Sequence, residues 1–155
     1  MKRILLTISV LTLFCTISLS GTIFAAEKAT KEECVAKVKE AVAMIKKSGL
    51  KDTLAKISDP KGPFQWKDTY LFAYDLQGVM KAHPNPGLVG KNLMGLKDTN
   101  GKMYVAEFIA TAKSPGEGWV SYTWPKPGEE KASPKTTYVY RVPGENIAIF
   151  AGIYE

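Results

Sequence analysis

Residues 118–138 read GWVSYTWPKPGEEKASPKTTY. Strict alternation from 118 to 124 predicts a β-strand with Val120, Tyr122 and Trp124 on one face and Trp119, Ser121 and Thr123 on the other. A long polar loop follows, and Lys135 opens the returning strand that carries Tyr138. The stretch is expected to gather Tyr122, Trp124, Lys135 and Tyr138. Rings with polar tips supply apolar area together with hydrogen-bonding groups, and the lysine adds a cation for an anion. The same residues suit a plain aromatic core, and this stretch alone leaves both readings open.

Working outward, residues 136–142 and 147–154 read as two further strands, tightly linked through Pro143, Gly144, Glu145 and Asn146. Upstream, TYLFAYDL at 69–76 alternates with Tyr70, Phe72 and Tyr74 on one face. Asp75 to Gly78 make a turn, and 79–83 return as a short strand that stops at His83-Pro84. Residues 88–96 carry too many glycines for a long helix. A helix is predicted over 103–113, with Tyr104, Val105, Phe108, Ile109 and Ala112 as its buried stripe. KGPFQWK at 61–67 reads as a loop whose Phe64 and Trp66 fold back onto the domain. Near the start, Thr30 and Glu33 have capping-box spacing and predict a helix that ends near Ser48 before Gly49. A shorter helical piece containing Leu50, Leu54 and Ile57 follows. The fold class expected is α+β, a PAS-like five-stranded antiparallel sheet with a long N-terminal helix on one face and a middle helical segment on the other.

The chain has 155 residues, 45% of them hydrophobic and 23% charged, as in an ordinary globular domain. Lys2 and Arg3 supply two of its six net positive charges and leave +4 for the rest. Those charges are scattered among acids, a pattern that does not favour nucleic acid. A basic start, an uncharged stretch from 4 to 24 and then Ala25-Ala26 mark residues 1–26 as an export signal, with 27–155 as the domain. Seven Ser or Thr hydroxyls in that segment favour cleavage over an uncleaved membrane anchor, which is the alternative. The expected location is periplasmic or secreted. Cys15 falls in the signal, so Cys34 has no partner for an internal disulfide.

One histidine and one remaining cysteine give no metal-ligating cluster, and no nucleotide-binding, hydrolase or other cofactor fingerprint is present. No metal, cofactor or enzymatic activity is expected. The runs YLFAYDLQGVMKAHPNPGLVGKNLMGLKD, GWVSYTWPKPG, PKTTYVYRVPG and IAIFAGIYE together resemble the single Cache domain, second subtype, an extracytoplasmic PAS-like module of chemoreceptors, sensor kinases and stand-alone exported proteins. The likeness runs from Cys34 to Tyr154. It implies a pocket on one side of the sheet for a small organic acid such as acetate, propionate, lactate or pyruvate. Carried over residue by residue, the ligand-binding candidates are Tyr70, Phe72, His83, Tyr122, Trp124, Lys135 and Tyr138. Because the sequence ends at Glu155, the bound state is expected to pass to a separate membrane receptor or kinase. The alternative is a structural or protein-interaction domain whose pocket is filled by its own side chains.

Overall fold

A computed structural model of the chain describes residues 27–155. The expected export segment lies outside the described residues. Helix α1 spans Lys31–Ser48. Its first turn is closed as the spacing predicts: Thr30 Oγ1 accepts from the Glu33 N–H at 3.2 Å, and the Glu33 carboxylate accepts from the Thr30 N–H at 2.9 Å. At the other end Gly49 takes a positive φ of 87° while its N–H reaches the Ile45 carbonyl. Helix α2, Leu50–Ser58, starts at once from that glycine. The middle of the chain holds a single 3-10 turn at Pro86–Leu88 and then α3, Tyr104–Lys113.

The strands are β1 Gln65–Trp66, β2 Thr69–Asp75, β3 Met80–Ala82, β4 Glu117–Pro125, β5 Ala132–Arg141 and β6 Ile147–Tyr154. All pairings are antiparallel, in the order β1-β2-β6-β5-β4, and β3 also pairs with β2. The architecture is the α+β one expected, with six strands among the described residues where five were predicted. The extra strand is β1, which lies inside the 61–67 segment read as a loop and pairs with Thr69 and Tyr70. Two residues are too few for alternation to register. The last strand enters the middle of the sheet, between β2 and β5, so the two ends of the domain are laced together.

Each face of the sheet buries its own core. Helices α1 and α2 cover one face, where Val38, Ile45, Ile57 and Phe64 pack on Leu71, Ile149 and Ala151. Helix α3 covers the other, where Phe108 and Ile109 pack on Phe72, Tyr74, Val139 and Phe150. Burying a large side chain of this kind is worth about 1.5–3 kcal/mol. The α3 face is built largely from rings: Phe72 stacks on Phe150 at 5.1 Å, and Phe108 meets Tyr122 edge to face at 5.2 Å. β2 contributes to both cores, which is why all its residues from Thr69 to Tyr74 are buried.

Candidate ligand-binding site

The site lies on the α3 face and is assembled by strand register. Residues directly paired across an antiparallel ladder share a face. Tyr122 of β4 pairs with Lys135 of β5, and Lys135 pairs with Tyr154 of β6. One row across three strands therefore reads Tyr122, Lys135, Tyr154. Tyr70 and Phe72 of β2 stand on the same face, and His83 follows β3 at the sheet edge. Lys135 is buried to 1% exposure. Its Nζ donates to the Tyr154 hydroxyl at 3.0 Å and lies 4.2 Å from the centre of the Tyr70 ring, 4.5 Å from that of Tyr154 and 5.7 Å from that of Phe72. Among the described residues no carboxylate pairs with it. Burial pushes its pKa below the ordinary lysine value, while the neighbouring Tyr70 acts the other way.

Two cavities meet at this place. The inner one, about 10 Å3, is bounded by Tyr70, Phe72, His83, Tyr104, Tyr122 and Trp124 together with Tyr74, Met80 and Leu88. That is room for about one water. The outer one, about 390 Å3, opens to solvent between the Pro84-Asn85 segment and the Pro125–Glu129 tip of the β4–β5 hairpin. Tyr70, His83, Leu88 and Trp124 line both, so they form the wall between them. Lys135 lines neither; its ammonium lies behind the Tyr70 ring.

His83 Nδ1 accepts the Asn85 N–H at 2.8 Å, which leaves the proton of the neutral ring on Nε2. Burial, helped by the nearby Lys135 charge, pushes its pKa down to about 3, so the ring is neutral at physiological pH. Tyr122 stacks on Tyr104 at 4.4 Å and its hydroxyl accepts from Thr137 Oγ1 at 3.3 Å. Burial raises the phenols of Tyr104, Tyr122 and Tyr154 well above the ordinary tyrosine range, so all three keep their protons. The inner cavity is therefore lined by neutral polar groups and rings with no acidic side chain, and one buried cation stands behind it, while Glu129 lines the outer cavity.

Of the seven residues singled out from sequence, Tyr70, Phe72, His83, Tyr122 and Trp124 surround the inner cavity and Lys135 stands behind it. Tyr138 does not join them. It sits three residues after Lys135 and so projects to the α1 face, where its ring meets Trp119 at 5.2 Å and its hydroxyl donates to Glu117 at 2.5 Å. Tyr154 and Tyr104 were missed as site residues. Tyr104 was legible as a buried helical position. Tyr154 is on the face of Phe150 by simple alternation, but only the pairing of β6 with β5 brings it to Lys135.

Residues 7–155 match the profile of the family described as single Cache domain 2. The chain belongs to that family. As a Cache domain it is 35% identical over 89 residues to the sensor histidine kinase MctS of Rhizobium johnstonii, a match covering 57% of this chain and 19% of the kinase. It is 34% identical over 88 residues to the methyl-accepting chemotaxis protein McpP of Pseudomonas putida, covering 56% of this chain and 16% of the receptor. The chain thus spans less than a fifth of these relatives. A solved structure described as showing carboxylic acid recognition by a Cache chemosensory domain superposes with a TM-score of 0.68 at 28% identity, over 79% of this chain and 91% of that one. A methyl-accepting chemotaxis protein of Vibrio parahaemolyticus gives 0.66 at 34% identity, over 80% and 87%. A periplasmic sensor domain of a chemotaxis protein gives 0.64 at 28%, over 79% and 88%. The family and these neighbours are sensor domains. No helix among the described residues is long and apolar enough to cross a membrane.

Proposed function

We propose that this Cache domain is exported, binds a short monocarboxylate on the α3 face of its sheet, and passes the bound state to a separate membrane receptor or kinase. What supports this most is the Lys135 ammonium: fully buried, enclosed by three rings, and with no carboxylate partner among the described residues. A buried cation gains most from an anion that completes its hydrogen bonds. Tyr70, His83 and Tyr122 add polar groups around the same space, and no Asp or Glu lines the inner cavity to hold an amine. The likeness to a domain described as recognising carboxylic acids adds weight. To reach the lysine, even acetate must displace the Tyr70 ring and the Trp124 side of the wall.

The test is a panel of acetate, propionate, lactate and pyruvate against amino acids and amines, read as a rise in melting temperature. A ligand at a hundredfold excess over its dissociation constant stabilises the native state by about 2.7 kcal/mol. Lys135→Met is expected to weaken acid binding by about 1.5–3 kcal/mol, the worth of a charge-assisted bond, while the domain still folds. An amine or amino acid that outcompetes every simple carboxylate, or a Lys135→Met variant that binds as the parent does, overturns the reading.

A second reading is favoured by one observation, the inner cavity of about 10 Å3. On that reading the rings fill the pocket themselves and the domain serves as a structural or interaction module. No acid in the panel then shifts the melting temperature.

A further inference from the structure

Tyr154 closes the IAIFAGIYE run that carries the family likeness, but it was not among the ligand-binding candidates. Its hydroxyl accepts from Lys135 Nζ at 3.0 Å and donates to the Pro125 carbonyl at 2.8 Å. A phenol has one proton. Since that proton is committed to Pro125, the oxygen faces the lysine only as an acceptor. Pro125 lies on the rim of the outer cavity, and Lys126 beside it places Nζ 6.0 Å from the centre of the Tyr154 ring. We propose that Tyr154 is the positioning residue of the acid site, holding the Lys135 ammonium beneath the cavity and tying it to the hairpin rim at Pro125. This rests on the reading of Lys135 as the anion anchor.

The bond matters because, among the described residues, the ammonium has no carboxylate partner, and besides Tyr154 the Tyr70 side chain is what chiefly favours its charged form. The titratable groups around it are Tyr70 of β2, Tyr122 of β4, Tyr154 of β6, His83 after β3 and Tyr104 of α3, with Asp68 and Cys34 acting at longer range. Tyr104, Tyr122 and Tyr154 stay protonated, and His83 is neutral at physiological pH. An acceptor bonded to the charged form favours that form. Without the Tyr154 oxygen the lysine gives up its proton more readily, and the anchor is lost at a lower pH.

The experiment is an NMR titration of 13C-lysine-labelled protein, with Lys135→Met assigning the resonance, in parent and Tyr154→Phe. Acetate affinity is measured across the same pH range. The conservative variant keeps the ring and its packing, and removes only the oxygen. Both the ligand-free Lys135 midpoint and the alkaline limit of acetate binding are expected to fall by about one to two pH units, the size of shift that losing a hydrogen bond to a charged group produces. An unmoved midpoint overturns the inference, including where Tyr154→Phe is merely less stable. A parent that binds no acetate or other acid sinks the proposed function instead, and the ligand-free midpoint still decides the role of Tyr154.

Discussion

Gly152 lies on β6 next to Lys135, and a Cβ there would come within 2.8 Å of Lys135 Cε and closer still to Thr137 Oγ1. Its role is to leave a channel for the lysine chain across the sheet. Gly152→Ala is expected to lower stability by about 1–3 kcal/mol, the range for overpacking a filled interior, and to weaken acetate binding by displacing Lys135. Urea unfolding and the acetate-induced melting shift check both effects, and a variant that keeps both denies the channel. The Ala-Gly-x-Tyr ending was visible in the sequence as a motif, but its cause was not, because the side chain it accommodates belongs to another strand. His83 carries a second residue-level expectation. Its folded pKa of about 3 lies below the unfolded value near 6.5, so between those values the unfolded chain holds more protons and stability falls as the pH falls. The loss is on the order of 5 kcal/mol across that window. His83→Gln removes this contribution, so its unfolding free energy should change less between pH 7 and pH 4 than the parent's. Equal slopes would mean that the ring is not buried in its neutral form.

Among the elements, the β4–β5 hairpin sets the site by its register. On the sequence reading this strand covers 136–142, with Lys135 at its mouth. Instead pairing runs on from Pro125 opposite Ala132, and Pro134 sits inside the strand, where its carbonyl accepts from the Glu155 N–H. Lys135 thereby moves from a strand mouth to a paired position between Tyr122 and Tyr154. Parity then sends Tyr138 to the other face, and no bend of the strand is needed to bring the lysine to the rings. The consequence can be checked with Tyr138→Phe. Loss of its bond to Glu117 should lower stability by about 1 kcal/mol and leave acid affinity untouched. If acid binding is lost, the two residues share a face and the register is wrong. Helix α1, by contrast, was legible to the residue at its start and near its end. Capping residues act within one turn, whereas a strand's register depends on partners far along the chain.

In the whole molecule the two faces of the sheet differ in the charge they bury. On the α1 face the polar Tyr138 and Thr136 are satisfied within the chain, by Glu117 and Glu155. On the α3 face the Lys135 ammonium meets the Tyr154 phenol and ring faces and, among the described residues, no carboxylate partner. Element order and five of the six strands could be read from periodicity. The insertion of β6 between β2 and β5, which puts Tyr70, Lys135 and Tyr154 together, could not, since alternation reports faces and not neighbours. The unbalanced face makes a prediction for the domain as a unit. Because the folded pKa of Lys135 lies below its unfolded value near 10.5, the ligand-free protein gains stability from this group as the pH rises through that interval. The same rise removes the charge that an acid needs. The melting shift produced by acetate should therefore be large at neutral pH and shrink toward pH 10.5, even as the lysine's own penalty on the free protein is relieved. A bound carboxylate opposes this by favouring the charged amine, so the decline begins at a higher pH when acetate is more concentrated. An acetate shift of equal size at pH 7 and pH 10.5 would separate binding from the lysine's charge and place the anion elsewhere.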